Sequence, residues 1–401
     1  MEQGTTLAPR VTAALLATAR PPGATLAQQE ALAAALEEFD PGDWIGLIEG
    51  ALNQGTASLL SRHLLEAAPG RFPPEMVAAC DTYLAARRQA AAEAIAQLAA
   101  VMEALAVRGV SALPFKGPVL GLQAYGDAGL REYHDLDILI RREQLIETLA
   151  VLDALGYRSE AVAGLRPRRV EDYYRYNGQD ILFAPGRLPI EPHWAFAPRT
   201  FCAELDTGPI FARAVRVEAP HGQRFRCFAP EDTLLAASLH GGKEQWARLI
   251  WIADIAALLH AHPALDWTAV LARAAEAGCL RMTLLAAELA RGLLEADLPD
   301  RVRAEIARDR AVAPLVARVR AALFARVEAP SIYTVTSFRW NVRERLSDRL
   351  RYATRTLFRA RVTHFRNVDL PDPLSFLYPA VRLGHDFLVL PVWRALHRTR
   401  D

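Results

Sequence analysis

Asp135-Leu136-Asp137 places two carboxylates two residues apart at the head of an apolar run ending at Ile140. In a strand, successive side chains alternate faces, so the two acids share one side while Leu136 and Ile138 turn to a core. Paired carboxylates suit a hard cation. Mg²⁺ takes oxygen ligands and keeps waters and substrate phosphates in its shell, so two acids and a triphosphate complete its coordination. Upstream lies a Lys116-Gly117 turn, and Lys116 and Lys243 are the only lysines among 47 basic residues. A chain that otherwise uses arginine has a specific use for a lysine where a compact ammonium is needed, as at phosphate oxygens. Gly117 lets the backbone approach a phosphate, and a helix starting there offers free amides. Arg131 and His134 stand just before the aspartates. The pattern points to metal-assisted phosphate chemistry; the plainer reading of any Asp-x-Asp is a solvated or helix-capping pair.

The elements around these residues follow from periodicity and punctuation. Residues 1–109 are rich in Ala, Leu, Glu and Gln, broken at Pro21-Pro22, Asp40-Pro41-Gly42 and Pro73-Pro74, and read as an N-terminal helical region. Its last helix, from about Pro74 to Arg108, stops at Gly109, a natural left-handed cap. Val110 to Phe115 reads as a short buried strand, Gly117 to Tyr125 as a short helix, Asp135 to Ile140 as a second strand, and Glu143 to Leu155 as a helix. With a hairpin around Ala184-Pro185-Gly186-Arg187, residues 110–228 form a small mixed α/β core. A second helical region, 229–328, starts at Pro230-Glu231-Asp232, whose acids suit a first turn. Residues 329–401 are a basic and apolar C-terminal helical segment. The expected fold class is α+β, with a small mixed-sheet core flanked by helical regions.

Lys116-Gly117, Arg131, His134 and Asp135-Leu136-Asp137-Ile138-Leu139-Ile140 resemble the signature of the nucleotidyltransferase superfamily that includes DNA polymerase beta and the antibiotic nucleotidyltransferases. The nearest resemblance is to the bacterial group of uncharacterised nucleotidyltransferases, over roughly residues 100 to 300. The superfamily's Gly-Gly or Gly-Ser turn is Lys116-Gly117-Pro118 here, a departure shared with that group. The resemblance implies that Asp135 and Asp137 bind two metal ions, expected to be Mg²⁺, and that a third carboxylate comes from a later strand. Ile190-Glu191-Pro192-His193-Trp194 resembles the group's Glu-x-His segment, making Glu191 the candidate third acid, as metal ligand or base, with His193 orienting substrate or phosphate. Pro192 cannot donate to a ladder, which predicts an edge strand or a strand end.

A second resemblance covers Pro230-Glu231-Asp232, His240-Gly241-Gly242-Lys243, Trp246, Trp251 and Asp254. In one continuous helix His240, Lys243, Ala247, Ile250 and Asp254 would form a polar stripe facing the site, with Lys243 and His240 on the triphosphate and Trp246 against a base. Against this, Gly241-Gly242 reads as a helix break with Lys243 in solvent, and the tryptophans as core. Tyr173, Tyr174 and Tyr176 read either as a substrate wall or as a half-buried helix face.

The remaining features bound the function class. A net charge of +1, from 47 basic and 46 acidic residues, gives no global attraction to nucleic acid or anionic membrane. Cys80, Cys202, Cys227 and Cys279 make no CxxC pair and read as reduced thiols. No Ser/His/Asp or Cys/His signature supports covalent catalysis. No signal peptide is read at Met1-Glu2-Gln3, and Leu374 to Leu396 is too interrupted to span a membrane, so the expectation is cytoplasmic, with peripheral membrane contact left open. Between Arg339 and Arg366 nine arginines face only Glu344 and Asp348. They read first as the solvated face of packed amphipathic helices, and otherwise as a surface for RNA, membrane or an anionic partner; no RNA-binding motif supports an RNA acceptor. The expected reaction moves a nucleoside monophosphate from an NTP, ATP first, to a hydroxyl of a small molecule or peptide. The alternatives are transfer to a protein or RNA, a non-catalytic nucleotide-binding or assembly protein on the same fold, and a membrane-associated scaffold.

Overall fold

The computed structural model describes residues 7–389 apart from 22, 24, 67–70, 202, 204, 221 and 326–331. Five helices lead the chain: α1 (Pro9–Thr18), α2 (Leu26–Glu37), α3 (Pro41–Gln54), α4 (Ala57–Glu66) and α5 (Pro74–Val107). Their starts are written locally. Thr25 with Gln28 and Asp40 with Asp43 form reciprocal capping boxes, and proline opens α1, α3 and α5. The 34-residue α5 ends as its sequence predicts, with Gly109 at φ +71° and Val110 N–H donating back to the Leu105 carbonyl at 2.9 Å.

The sheet follows. Strands β1 (Ala112–Pro114), β2 (Leu136–Ile140), β3 (Arg158–Ser159), β4 (Leu182–Phe183) and β5 (Ile190–His193) lie in the order β1-β2-β5-β4-β3. Only β2 and β5 run parallel; every other pairing is antiparallel. Between the strands lie α6 (Gly117–Leu120), α7 (Leu145–Ala154) and α8 (Pro167–Tyr176), and α6 runs into a π-helical turn over Gly121–Tyr125. After β5 come α9 (Gly208–Arg213) and the two-stranded hairpin β6 (Val215–Glu218) and β7 (Arg224–Cys227). Thus β2 starts at Leu136, and Asp135 stands in the bend just before it.

Strand β5 is interior, not the edge strand that Pro192 predicts. In a parallel pair a residue's N–H and C=O point to the same neighbour. Glu191 and His193 therefore serve β2, while Pro192 faces the β4 side, where β4 has already ended and Asp180 N–H reaches the Pro192 carbonyl at 3.2 Å. The missing donor falls where the ladder is sparse.

The sheet is buried on both faces. Leu136, Ile138 and Ile140 pack with Ala94, Leu98, Val101 and Leu105 of α5. Leu139, Leu113 and Phe115 join a second core, continuous with residues of α1–α4 and of the helices that follow the sheet. Those are α10 (Pro230–Lys243), α11 (Leu249–Ala261), α12 (Trp267–Ala277), α13 (Leu280–Leu294), α14 (Asp300–Arg308) and α15 (Val312–Leu323). Asp137 alternates with Leu136 and Ile138, so it turns toward these helices.

The polar stripe expected in one helix is divided between two. Helix α10 closes at Lys243, and Gln245 and Trp246, at φ +60° and +55°, turn the chain into α11. Gly241-Gly242 lies inside α10. The ring of Trp246, fully buried, stands 2.5 Å from where a Gly241 side chain would begin, so the glycine admits the tryptophan, which is core and not free to stack on a base.

Helices α16 (Ile332–Asn341), α17 (Leu346–Phe358), α18 (Val362–Asn367) and α19 (Tyr378–Gly384) end the described chain. Their arginines hold the segment to the body. Arg343, fully buried between the rings of Phe201 (4.2 Å) and Tyr352 (4.0 Å), donates to the Phe201 carbonyl at 2.9 Å. Arg339 donates to the Lys243 carbonyl at 3.0 Å, and Arg359 lies 3.9 Å over Tyr176. Among the described residues α5 alone is long and apolar enough to cross a membrane. It is tied to the body by Arg88 on Asp127 (2.9 Å) and by Gln97 on the Tyr157 hydroxyl and the Leu188 carbonyl (2.8 Å each). Residues 390–396 of the late apolar stretch, and Cys202, lie outside the described residues; Cys80, Cys227 and Cys279 are buried free thiols.

Candidate active site

Register assembles the centre. Asp137 is paired with Glu191 and Leu139 with His193 across β2 and β5, so Asp137, Glu191 and His193 rise from one face of two adjacent strands. His193 Nε2 lies 2.8 Å from Asp137 Oδ1 and 3.2 Å from Glu191 Oε2. Lys116 Nζ donates to the same Asp137 Oδ1 at 3.0 Å. Gln179 donates from Nε2 to Glu191 Oε1, which leaves Oε2 turned to the histidine. The His193 ring is held edge-on by Phe115, with centroids 5.0 Å apart, and Phe115 stacks on Phe228 at 4.7 Å.

The electrostatics follow from crowding three acids in a dry place. Burial raises the Asp135 carboxyl, and the charges of Asp137 and Glu191 add to this, lifting it to about 6. Burial would also raise Asp137, but the Lys116 ammonium and the His193 hydrogen bond outweigh it and hold that carboxyl well below the usual range. Burial works against charge on His193 and Lys116 as well, yet Asp137 and Glu191 leave both raised. Carboxylates this close to one another gain from a cation between them.

Gly117, at φ +52°, makes the turn after Lys116 possible: a side chain there would start 3.3 Å from the Asp135 carbonyl. Lys116 forms one wall of a cavity of about 20 Å³, with Arg131, His240, Trp251 and Asp254 around it. Burial and the charges of Lys116 and Lys243 push the His240 imidazole well below its ordinary value. Its ring meets Trp251 edge-on at 4.9 Å. Lys243, only 14% exposed, pairs with Glu244 at 3.4 Å; burial lowers its pKa, and it feels the charges of Lys116 and Glu191.

Of the residues singled out in the sequence, Lys116, Asp137, Glu191 and His193 come together directly, with Asp135 and Gly117 beside them, His240 facing Lys116 across the cavity, and Lys243 within reach of the charges of Lys116 and Glu191. Arg131 lines the same cavity but is committed to Asp254, its Nε 3.1 Å from both carboxylate oxygens, and Tyr125 donates to the same carboxylate at 3.0 Å. His134 is exposed. Tyr173 and Tyr174 satisfy the buried Asp180 at 3.0 and 3.1 Å, so they are structural. Sequence reasoning missed Gln179 and Phe115, which set the orientation of Glu191 and His193; neither belongs to a local pattern that would single it out.

A model of the family described as uncharacterised nucleotidyltransferase matches residues 40–295, and the chain belongs to that family. It is thereby a nucleotidyltransferase at the level of class. No curated protein matches the chain.

Proposed function

We propose that this site transfers a nucleoside monophosphate from an NTP, ATP first, to a hydroxyl of a small molecule or peptide. The observation that supports it most is the pairing of Asp137 with Glu191 across parallel strands, with Lys116 on Asp137 and Asp135 alongside. The donor set fits a divalent cation: burial, with the charges of Asp137 and Glu191 added, lifts Asp135 to about 6, and a cation among the three acids would relieve this. Asp135, Asp137 and Glu191 are the residues that would hold Mg²⁺, in two positions. Bound there, Mg²⁺ would neutralise phosphate charge and stabilise both the attacking and the leaving oxygen.

The chain's own groups supply the rest. The acceptor oxygen attacks the α-phosphorus, the bond to the β-phosphate bridging oxygen breaks, and pyrophosphate leaves with that electron pair. The acceptor proton passes to a carboxylate of the cluster, Glu191 first. Lys116 and the backbone at Gly117 would meet the triphosphate, with Lys243 and His240 of α10 as further contacts. The Gly117 turn brings the backbone close. No covalent enzyme intermediate is required.

The test is labelled-nucleotide transfer and pyrophosphate release from each NTP with Mg²⁺, in lysate of the source cell, for wild type and Asp137→Asn. Wild type is expected to label an acceptor and Asp137→Asn to lose at least about 10³-fold, corresponding to roughly 4 kcal/mol of transition-state stabilisation. Mg²⁺-dependent NTP binding without transfer in wild type would favour the non-catalytic nucleotide-binding reading.

A further inference from the structure

We propose that His193 is a metal ligand through Nε2, and that the position between Asp137, Glu191 and His193 selects a transition divalent ion such as Mn²⁺ over Mg²⁺. This rests on the reading of the site as a metal centre, and it changes the ligand set: the group of donors within 4.8 Å of one another is Asp137, Glu191 and His193, with Asp135 outside it.

The geometry is that of neighbouring ligands. Adjacent donors on an octahedral ion with bonds of ~2.1 Å lie roughly 3.0 Å apart. Nε2 stands 2.8 Å from Asp137 Oδ1 and 3.2 Å from Glu191 Oε2. All three side chains are set from outside the cluster: Gln179 fixes which Glu191 oxygen faces inward, Phe115 fixes the plane of the imidazole, and strand register fixes the rest. The ring is 2% exposed and its other nitrogen, Nδ1, has no partner among the described residues, so the polar contacts of the ring are those at Nε2, and Nδ1 is open to carry the proton. Imidazole nitrogen is bound more readily by first-row transition ions, with Mn²⁺ at the weak end of their order, whereas Mg²⁺ is held through oxygen.

The other histidine cluster shows the contrast. His364, His385 and Asp386 also bring their ligand atoms close. There the Arg361 N–H donates to His364 Nδ1 at 2.9 Å, which puts the proton of the neutral ring on Nε2, where it points at Asp386 (3.1 Å). Arg361 and Arg382 lie 3.5 Å from the same carboxylate. Its tautomer is wrong for a metal, whereas among the described residues no group donates to His193 Nδ1.

The experiment titrates the full-length protein with Mn²⁺ alone, follows loss of the free-ion electron paramagnetic resonance signal, and reads directly coordinated ¹⁴N by pulsed methods, with Mg²⁺ as competitor. Wild type is expected to show imidazole ¹⁴N coupling. His193→Asp, which supplies oxygen in place of nitrogen, should keep Mn²⁺ but lose the coupling, and its preference for Mn²⁺ over Mg²⁺ should fall by at least about tenfold. Mn²⁺ bound to wild type without coordinated nitrogen, no Mn²⁺ binding, or unchanged coupling in His193→Asp would each overturn the proposal. The wild-type measurement decides without any variant. Coordinated nitrogen in a protein that transfers no nucleotide would sink the proposed reaction and leave this ligand assignment standing. Transfer with Mg²⁺ but no coordinated nitrogen would do the reverse.

Discussion

Asp137 carries more of the site than any other side chain: one of its oxygens takes both Lys116 and His193. Removing its charge leaves the Lys116 ammonium and the His193 ring in a buried place without their partner, which is why the amide, similar in shape, is the informative replacement. Gly117 is a second single-atom constraint. Gly117→Ala should cost ~1–2 kcal/mol in the left-handed region, read as a lower denaturation midpoint. The added methyl meets the Asp135 carbonyl, so KM for the NTP is expected to rise by more than the stability loss alone explains. Equal melting and equal KM in Gly117→Ala would show that this turn has no role in phosphate approach.

Where the helices pack on one another and on the sheet, two contacts are enclosed and specific. Trp246 fills the space above Gly241, and both are enclosed, so Gly241→Val should cost ~3 kcal/mol by overpacking, measured by chemical denaturation. Arg131 and Asp254 join the segment before β2 to α11 with little exposure of either, 8% and 4% of the side chains. Cutting one partner strands the other: Arg131→Met is expected to lose ~3–5 kcal/mol. The double variant Arg131→Met/Asp254→Asn removes both charges, keeps an acceptor for the Tyr125 hydroxyl, and should recover much of that loss. If the double variant is as unstable as the single one, Arg131 stabilises by packing and not by pairing.

The C-terminal helices are bound to the body through arginines that point at backbone carbonyls. Arg343 is central, since it reaches the Phe201 carbonyl and lies between two aromatic rings. Arg343→Leu keeps much of the volume but leaves that carbonyl unpaired, so a loss of ~2 kcal/mol is expected. Hydrogen exchange should quicken across Leu346–Phe358 while α10 and α11 stay protected. Uniform protection in the variant would mean that the segment is held by its other contacts. Exposed apolar side chains gather on the same region, among them Leu346, Phe376 and Phe387.

The amino-acid order alone singled out Lys116-Gly117, Asp135 and Asp137 by their spacing along a strand and across one turn, which is a local property, while Glu191 and His193 were singled out by resemblance. It also marked the end of α5 at Gly109 and the hairpin before β5, since both depend on one glycine's backbone freedom. Only the folded chain decided which distant pieces meet. The interior place of β5 came from β2 lending it a parallel partner, and Pro192 tolerates that place because its nitrogen faces the side where β4 has ended. The division of the polar stripe between α10 and α11 came from Trp246 seeking the space over Gly241. The commitment of Arg131 to Asp254, and the holding of Glu191 by Gln179 and of His193 by Phe115, are likewise pairings across chain separations that no local pattern records. The physical reason is common to them all. A buried charge or ring takes the orientation that satisfies its neighbours, and those neighbours are fixed by strand register and helix docking.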